Sequence, residues 1–137
     1  MRYEVAVSIN GGDIVHINGP FPCGSNPDIT IFRKLLIYKL EEGEMVEADR
    51  GYRGEPTKVR IPVDYNNLIE KNKKNIVRAR HETVNARFKT FKALSERFRH
   101  PVSLIDMGKH QLVFMAVAII TQISIENGEP LFEVTYH

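Results

Sequence analysis

Two alternating segments joined by a glycine turn constrain the fold of this chain more than any other feature. Residues 3–9, YEVAVSI, alternate in polarity and are rich in β-branched side chains, which is typical of a β-strand. The following residues Asn10 to Asp13 include two glycines, which accept the positive φ angles of a tight turn. Residues 14–18 then return as a second strand. The sequence therefore predicts an antiparallel hairpin at the start of a layered fold.

A helix and two short strands are predicted after the hairpin. Asp28 is placed to cap the helix, whose apolar residues follow at helical spacing until Gly43 ends it. Residues 45–48 form a short apolar strand that stops at an aspartate, and residues 59–62 predict another short strand.

Two long helices are predicted in the second half of the chain. The first runs from about Asn75 to Phe98, where apolar residues recur with a period of 3.6. The second covers residues 109–126 and is apolar on nearly all sides, which predicts a buried core helix. The order is strand, strand, helix, strand, short strand, helix, helix, so the fold class is α/β.

Size and composition indicate one globular domain. The chain has 137 residues, of which 42% are hydrophobic and 26% charged. Cys23 is the only cysteine, which excludes a disulfide framework and a thiolate zinc cluster. The first residues do not form a signal peptide, and the longest apolar run, residues 112–120, is too short to cross a bilayer. We therefore expect neither secretion nor a membrane partner.

Positive charge is concentrated in one segment. Residues 71–100 contain ten Lys or Arg and only two acids, although the whole chain has a formal net charge of +2. Such asymmetry is expected for a surface that faces a polyanion such as DNA. It is also expected for a solvated helix in an otherwise acidic protein, and the charge pattern alone leaves both interpretations open.

Glu82 is an isolated acid within this basic segment. On a helix, Arg78 lies one turn before it and Lys89 two turns after it, on the same polar face as Asn75 and Asn85. One interpretation is an exposed ion pair worth a few tenths of a kcal/mol. The other is a metal-binding carboxylate held where DNA phosphates arrive.

Two aspartates are candidates to share a cation with Glu82. Asp49 follows a strand and precedes a glycine turn, and the ends of strands are where α/β sheets present ligands. Carboxylate oxygens are the ligands that Mg²⁺ prefers, although an aspartate in a turn is also common. Asp28 is a further metal candidate, but helix capping accounts for it and is the preferred interpretation.

Four segments resemble the DDE-type transposase endonucleases of the Harbinger-like kind, and together they cover nearly the whole chain. They are NGPFPCGSNPDITIFRKLL, EGEMVEADRGYRGEP, VRARHETVNARFKTFKAL and AVAIITQISIENGEPLFEV. The motif EADRGY is similar to the family's second catalytic aspartate, which places that role on Asp49. The spacing of Arg78, Glu82 and Lys89 is similar to a signature around the third catalytic acid, which places that role on Glu82. Asn75 stands where a tyrosine belongs in that signature.

The resemblance implies a ribonuclease H-like core that cleaves and joins DNA. Its carboxylates, here Asp49 and Glu82, would hold two Mg²⁺ or Mn²⁺ ions, and water would attack the phosphodiester. A set of basic residues would hold DNA phosphates. These residues are Arg78, Arg80, Arg87 and Lys89.

One departure from the family concerns the first catalytic aspartate. In the family it lies on a central strand that precedes the hairpin, whereas here no aspartate precedes Asp13, which lies in the turn. We therefore expect the chain to be a nuclease core that lacks its first strand, and to be inactive alone. A truncated transposon gene, a partial gene model and one piece of a larger assembly are the alternatives.

Further expectations concern partners and location. The resemblance implies a nuclear protein that acts on DNA, together with a separate DNA-binding protein partner and with homo-oligomer formation. A different class of function is a non-catalytic DNA- or protein-binding relic that uses the basic helix at residues 71–99. A structural domain with no surviving role is the third alternative.

Overall fold

The computed structural model of the chain describes residues 1–95 and 104–134, and it has the predicted α/β order. The elements are β1 (Arg2–Val7), β2 (Ile14–Phe21), α1 (Asp28–Lys34), β3 (Val46–Glu47), β4 (Val59–Arg60), α2 (Leu68–Lys89), α3 (Lys92–Ser95) and α4 (Leu104–Glu126). Short 3₁₀ turns lie at Leu36–Tyr38, Arg50–Tyr52 and Pro62–Asp64.

The strands form two small sheets. β1 and β2 pair antiparallel, with Ala6 opposite His16, which confirms the predicted hairpin. β3 and β4 pair parallel, with Val46 opposite Val59. Among the described residues, these two pairs form separate two-stranded sheets. A single sheet of the ribonuclease H kind is therefore not established.

The hairpin lies between two apolar cores because its strands alternate. Tyr3, Val5 and Val7 of β1 pack on one face against α2 and α4. Ala6 packs on the other face, against the core that α1 forms with β3 and β4. This alternation is the period of two that the sequence of β1 shows. The second face is the one that leads to the candidate site.

Helix α2 is displaced from its predicted bounds. It begins at Leu68, seven residues before the predicted Asn75, because the Asn67 side chain accepts a hydrogen bond from the backbone N–H of Glu70 at 2.8 Å. It ends at Lys89, and α3 follows as a separate short helix. The predicted end at residue 98 lies outside the described residues.

Helix α4 is not buried on all sides, so the prediction of a core helix was wrong for half of its surface. One side is buried on β1, β2 and α2 and contains Phe114, Val117, Ala118, Thr121 and Ile125. The opposite side is exposed although it is also apolar. By length and composition alone, residues 106–126 form one helix that could cross a membrane, so the shortness of the longest apolar run did not exclude such a segment. Packing of the buried side in the core also explains the apolar composition.

A candidate carboxylate site beside a basic groove

Asp49 lies in the loop that leaves β3 and caps the following 3₁₀ turn. Its Oδ1 atom accepts a hydrogen bond of 2.7 Å from the backbone N–H of Gly51. The residue is exposed. The structure thus shows the turn role that the sequence allowed, and it also fixes one carboxylate oxygen at the surface.

Asp28 does not cap α1, and the preferred expectation for it was wrong. The N-cap residue is Pro27, which has no side chain that could accept a hydrogen bond, and Asp28 is the first residue inside the helix. Its Oδ1 atom accepts a hydrogen bond of 3.1 Å from Arg2 Nη1, which also donates to the carbonyl of Asn26 at 2.8 Å. Proline at this position removes the usual cap, so the aspartate side chain is directed elsewhere.

Gly51 shows where that side chain is directed. A Cβ atom built on Gly51 would lie 2.6 Å from Asp28 Oδ2 and 3.0 Å from Asp49 Oδ1. Both carboxylate oxygens therefore approach one point above this glycine, and a side chain there would displace them. The structure brings Asp28 and Asp49 together, although they are far apart in the sequence.

The pKa of Tyr52 reflects the negative charge that gathers near Gly51. Burial raises the pKa of the Tyr52 hydroxyl, and the charges of Glu4, Asp28 and Asp49 raise it further, while the Arg2 charge lowers it. Its ring packs edge-on against Phe32. Three carboxylates from β1, α1 and the β3 loop therefore act on one phenol.

Glu4 is the buried member of these three. Burial raises its pKa to about 7, and the charge of Asp28 adds to the rise, while a hydrogen bond with the Tyr52 hydroxyl opposes it. Its Oε2 lies 3.2 Å from His16 Nε2, and both side chains are 2% exposed. Burial also lowers the pKa of His16, with the Lys39 charge as a second cause. The pair is therefore favoured in its neutral form, and among the described residues neither Glu4 Oε1 nor His16 Nδ1 has a hydrogen-bond partner.

An open pocket contains the two aspartates and continues as a basic groove. The pocket has a volume of about 410 Å³, and the adjoining one of about 540 Å³ shares Arg50, Pro62 and Arg78 with it. The first is lined by Asp28, Asp49, Arg50, Gly51, Pro62 and Arg78. The second is lined by Arg50, Pro62, Val63, Tyr65, Asn66, Lys71, Lys74, Asn75 and Arg78. Carboxylates thus lie at one end of a groove whose remaining lining is mainly basic and amide side chains, together with Pro62, Val63 and Tyr65.

Glu82 lies one helical turn beyond this groove. It is exposed on α2, four residues after Arg78, but it is not one of the residues that line either pocket. The carboxylate of Glu82 therefore lies on the side of α2 that Arg78 presents, about 6 Å further along the axis. A cation shared by Asp49 and Glu82 stays a prediction.

Three of the predicted phosphate-binding residues lie outside the groove. Arg80 is 5% exposed and donates to the carbonyl of Ile9, against the glycine turn of the hairpin. Arg87 donates to the carbonyls of Glu129 and Pro130. Lys89 is exposed at the end of α2. Since Arg80 is buried and already bonded, we assign it to holding the hairpin on α2 and not to DNA.

The donor set fits a divalent cation in part. Asp28 and Asp49 offer two hard oxygens from a shared pocket, which suits Mg²⁺ or Mn²⁺. However, within residues 1–95 and 104–134, no group of three His, Cys, Asp or Glu side chains is close enough to hold a metal. A further ligand must therefore come from a side chain that moves or from another segment.

Sequence reasoning missed two residues that shape this site. Arg50 directly follows Asp49 and lines both pockets, so a basic residue next to a candidate ligand was the available signal. Glu4 was treated as an ordinary strand residue. The signal was its place on the face of β1 opposite Tyr3 and Val5, a face that α1 has to cover.

Comparison with known proteins identifies one family. A sequence model described as DDE superfamily endonuclease matches residues 1–122, which is most of the chain. No curated protein and no solved structure gives a significant match. The matched range includes the hairpin, both aspartates, the basic groove and Glu82.

Proposed function

The chain belongs to the DDE superfamily endonucleases, and from that premise we propose that its pocket is the metal-binding part of a Harbinger-like transposase nuclease that acts on DNA. The observation that carries the proposal is the convergence of Asp28 and Asp49 above Gly51, with Arg50 and Arg78 lining the same pocket. A divalent metal bound there would polarise a phosphodiester and activate water.

The charges around the pocket suit a phosphodiester substrate. Two carboxylates alone would repel DNA, whereas Arg50, Arg78 and Lys71 attract its phosphates along the groove. Arg2 holds one oxygen of Asp28 and leaves the other directed towards Asp49. These residues thus position the carboxylates and the substrate, as phosphoryl transfer requires.

In this proposal Glu82 supplies the third carboxylate. It follows Arg78 by one turn, so a rotation of its exposed side chain or a small shift of α2 would bring it towards the pocket. Asp49 and Glu82 are then the catalytic acids, and Asp28 is a supporting metal ligand. Arg78 holds phosphate at the pocket, while Arg87 and Lys89 contact DNA further along α2.

The separation of the two sheets supports an incomplete ribonuclease H-like core. Lys74 of α2 bonds to Glu47 of β3 at 2.9 Å, and His81 bonds to the Val5 carbonyl of β1 at 3.0 Å. His81 follows Lys74 by seven positions, which is about 10 Å of helix. Two strand spacings of about 4.8 Å, close to this length, are what one further strand between β1 and β3 would require. We propose that a strand bearing the first catalytic aspartate completes the sheet, and that the chain alone is inactive.

Metal titration tests the pocket without requiring activity. We expect Mn²⁺ to bind the chain in isothermal titration calorimetry, and Asp49→Asn or Asp28→Asn to weaken binding at least tenfold. Glu42→Gln, an exposed acid outside the pocket, is the matched control. Equal affinity in all four proteins would refute the metal site. Glu82→Gln then decides whether that residue shares the ion.

A nicking assay tests the nuclease itself. Supercoiled plasmid is incubated with Mg²⁺ or Mn²⁺ and the chain, alone and with an added segment that carries the missing strand. We expect nicking only in the completed protein, and we expect Asp49→Asn and Glu82→Gln to abolish it. Nicking that survives both substitutions would show that another site, or a contaminant, cleaves the DNA.

A second candidate function is DNA binding without catalysis, which the basic groove favours. Arg50, Lys71 and Arg78 line it without needing a metal. In fluorescence anisotropy, Arg78→Ala and Lys71→Ala should each weaken DNA binding and reduce its salt dependence. Lys39→Ala, an exposed cation outside the groove, should not. Binding without any metal effect would favour this function and a nuclear relic over the nuclease.

A further inference from the structure

The outward side of α4 is an exposed apolar surface on a helix whose other side is buried. Five large side chains on it are exposed, at 39% for Met115 and 73% for Leu112, with the other three between these values. They are Leu112, Met115, Ile119, Ile120 and Ile123. From 112 to 123 every exposed residue of this helix is apolar, since the sixth is Ala116. We call these six residues the α4 face.

The α4 face ends in opposite charges. Lys109 lies one turn before it and Glu126 one turn after it, and both are exposed. Positions 109 and 126 are equally far from the midpoint between Val117 and Ala118. The same midpoint lies halfway between positions 112 and 123, between 115 and 120, and between 116 and 119. An apolar stripe with a cation at one end and an anion at the other is complementary to itself when one copy is reversed.

We propose that the α4 face binds the α4 face of a second copy of this chain, with the two helices antiparallel about a two-fold axis. In that arrangement Leu112 contacts Ile123 of the partner subunit, and Lys109 lies beside Glu126 of the partner subunit. A two-fold axis makes each of these contacts twice, as an isologous interface requires. Parallel helices would instead place Lys109 beside the partner's Lys109, which is unfavourable.

The chain as a whole exposes more surface than a compact monomer of its size would. A folded monomer of 15.7 kDa is expected to expose about 7,300 Å². The chain exposes 9188 Å². This excess is summed over the whole chain, and a stable interface of standard size buries roughly 800 Å² per partner. Contiguous apolar surface of this kind marks interaction sites on soluble proteins.

Sedimentation analysis of the full chain tests whether it dimerises through this face. We expect a concentration-dependent dimer, and Ile119→Glu should raise the dimer dissociation constant at least tenfold. Val15→Glu is the matched control, because Val15 is also an exposed apolar residue, at 63%, but lies on β2. A monomer at all concentrations, or a dimer that Ile119→Glu leaves intact, would overturn the proposal.

Charge exchange tests the antiparallel arrangement with variants that keep the apolar face. Lys109→Glu and Glu126→Lys should each weaken the dimer, because each places like charges together. The double variant Lys109→Glu/Glu126→Lys should restore it. If the double variant is as weak as the single ones while all three keep the wild-type circular dichroism spectrum, the pairing is not antiparallel and the proposal fails.

Disulfide trapping tests the register of the two antiparallel helices, and lipid vesicles test whether the α4 face binds a membrane instead of a second copy. In a Cys23→Ser background, mixed Leu112→Cys and Ile123→Cys chains should cross-link to each other more than either does to itself. Preferential self-linking would contradict the proposal. Vesicles of phosphatidylcholine should not deplete the chain from solution, whereas binding to vesicles that Ile119→Glu abolishes, without dimer formation, would assign the face to a membrane instead.

Discussion

The two long helices are of nearly equal length but are attached to the fold in different ways. α2 has 22 residues and buries two cations, Lys74 and Arg80, beside the apolar Val84 and Phe88. α4 has 23 residues and buries a mainly apolar side led by Phe114. α2 is therefore attached partly through buried charged side chains, whereas α4 is attached mainly through apolar packing, with hydrogen bonds of His110, Gln111 and Gln122 to the hairpin beside it.

This difference explains what each helix leaves at the surface. The second half of α2 places its apolar residues in the core, its first turns leave Leu68, Ile69 and Ile76 exposed, and its amide and basic groups such as Asn75 and Arg78 line the groove. α4 has more apolar side chains than its core contact uses, so a second apolar side remains exposed. The polar helix shapes the candidate DNA site, and the apolar helix provides the proposed dimer contact.

The largest effect is expected from Phe114→Ala on the buried side of α4. Its ring stacks on Tyr3 with centroids 3.7 Å apart and meets Phe88 edge-on at 5.3 Å. Removing it leaves a cavity in the main core, so the free energy of unfolding should fall by about 4 kcal/mol. Urea denaturation measures this. Leu112→Ala on the exposed side, at a low protein concentration, should change it by less than about 0.5 kcal/mol.

The next largest effect is expected from Lys74→Met, which removes a buried positive charge from α2. Lys74 Nζ bonds to Glu47 Oε2 at 2.9 Å and to the Arg60 carbonyl at 2.8 Å, and both charged side chains are 8% exposed. Methionine retains the volume but removes the cation beside the buried Glu47 carboxylate, which keeps the Tyr65 hydroxyl as a donor, and this should cost about 3 kcal/mol.

Denaturation of matched variants distinguishes this charge effect from loss of volume. Lys71→Met, on the exposed side of the same helix, should have little effect. Adding Glu47→Gln to Lys74→Met should recover part of the loss because the buried negative charge is then removed. If Lys74→Met is as stable as Lys71→Met, the ion pair does not anchor α2.

Periodicity predicted the order of elements but not what surrounds them. The hairpin and the short strands were predictable because alternation and glycine turns act locally. The start of α2 was predictable in principle from Asn67 and Glu70, a capping pattern that was overlooked. The exposed side of α4 was not predictable, because hydropathy does not distinguish a core from an interface.

The site was predicted in part, for reasons that depend on chain folding. Asp49 was recognisable from the motif around it and from its place after a strand. Its neighbour Asp28 was misassigned because capping depends on which residue becomes the N-cap, here Pro27. The closeness of Asp28 and Glu4 to Tyr52 depends on α1 packing on β1, a long-range contact that no local pattern contains.

The third effect is a pH dependence of stability that the buried Glu4 of β1 should produce. Because the folded state holds the Glu4 proton up to a pKa of about 7, above the unfolded value of 4.5, it binds more protons than the unfolded state between these pH values. The free energy of unfolding should therefore fall as pH rises from about 4.5 to 7. The difference is worth at most about 3 kcal/mol. The lowered pKa of His16 acts in the opposite direction below pH 6.5, so the net loss should be smaller than this.

Chemical denaturation at several pH values measures this loss. Glu4→Gln cannot release a proton and should abolish the fall. Glu42→Gln, at an exposed acid, should retain it. A wild-type stability that rises from pH 4.5 to 7 would mean that the lowered pKa of His16, and not the raised pKa of Glu4, dominates the pH dependence.

The smallest effect is expected from removing one hydrogen bond at the start of α2. Asn67→Ala removes the side-chain acceptor for the Glu70 N–H, which should cost about 1 kcal/mol in urea denaturation. Asn66→Ala changes the exposed neighbour and should cost less. Because the groove residues Lys71 and Asn75 lie in the first two turns, fraying of α2 should also weaken DNA binding, whereas the dimer contact on α4 should be unaffected. If Asn67→Ala weakened DNA binding and dimer formation equally, the two helices would be coupled and would not act as separately attached elements.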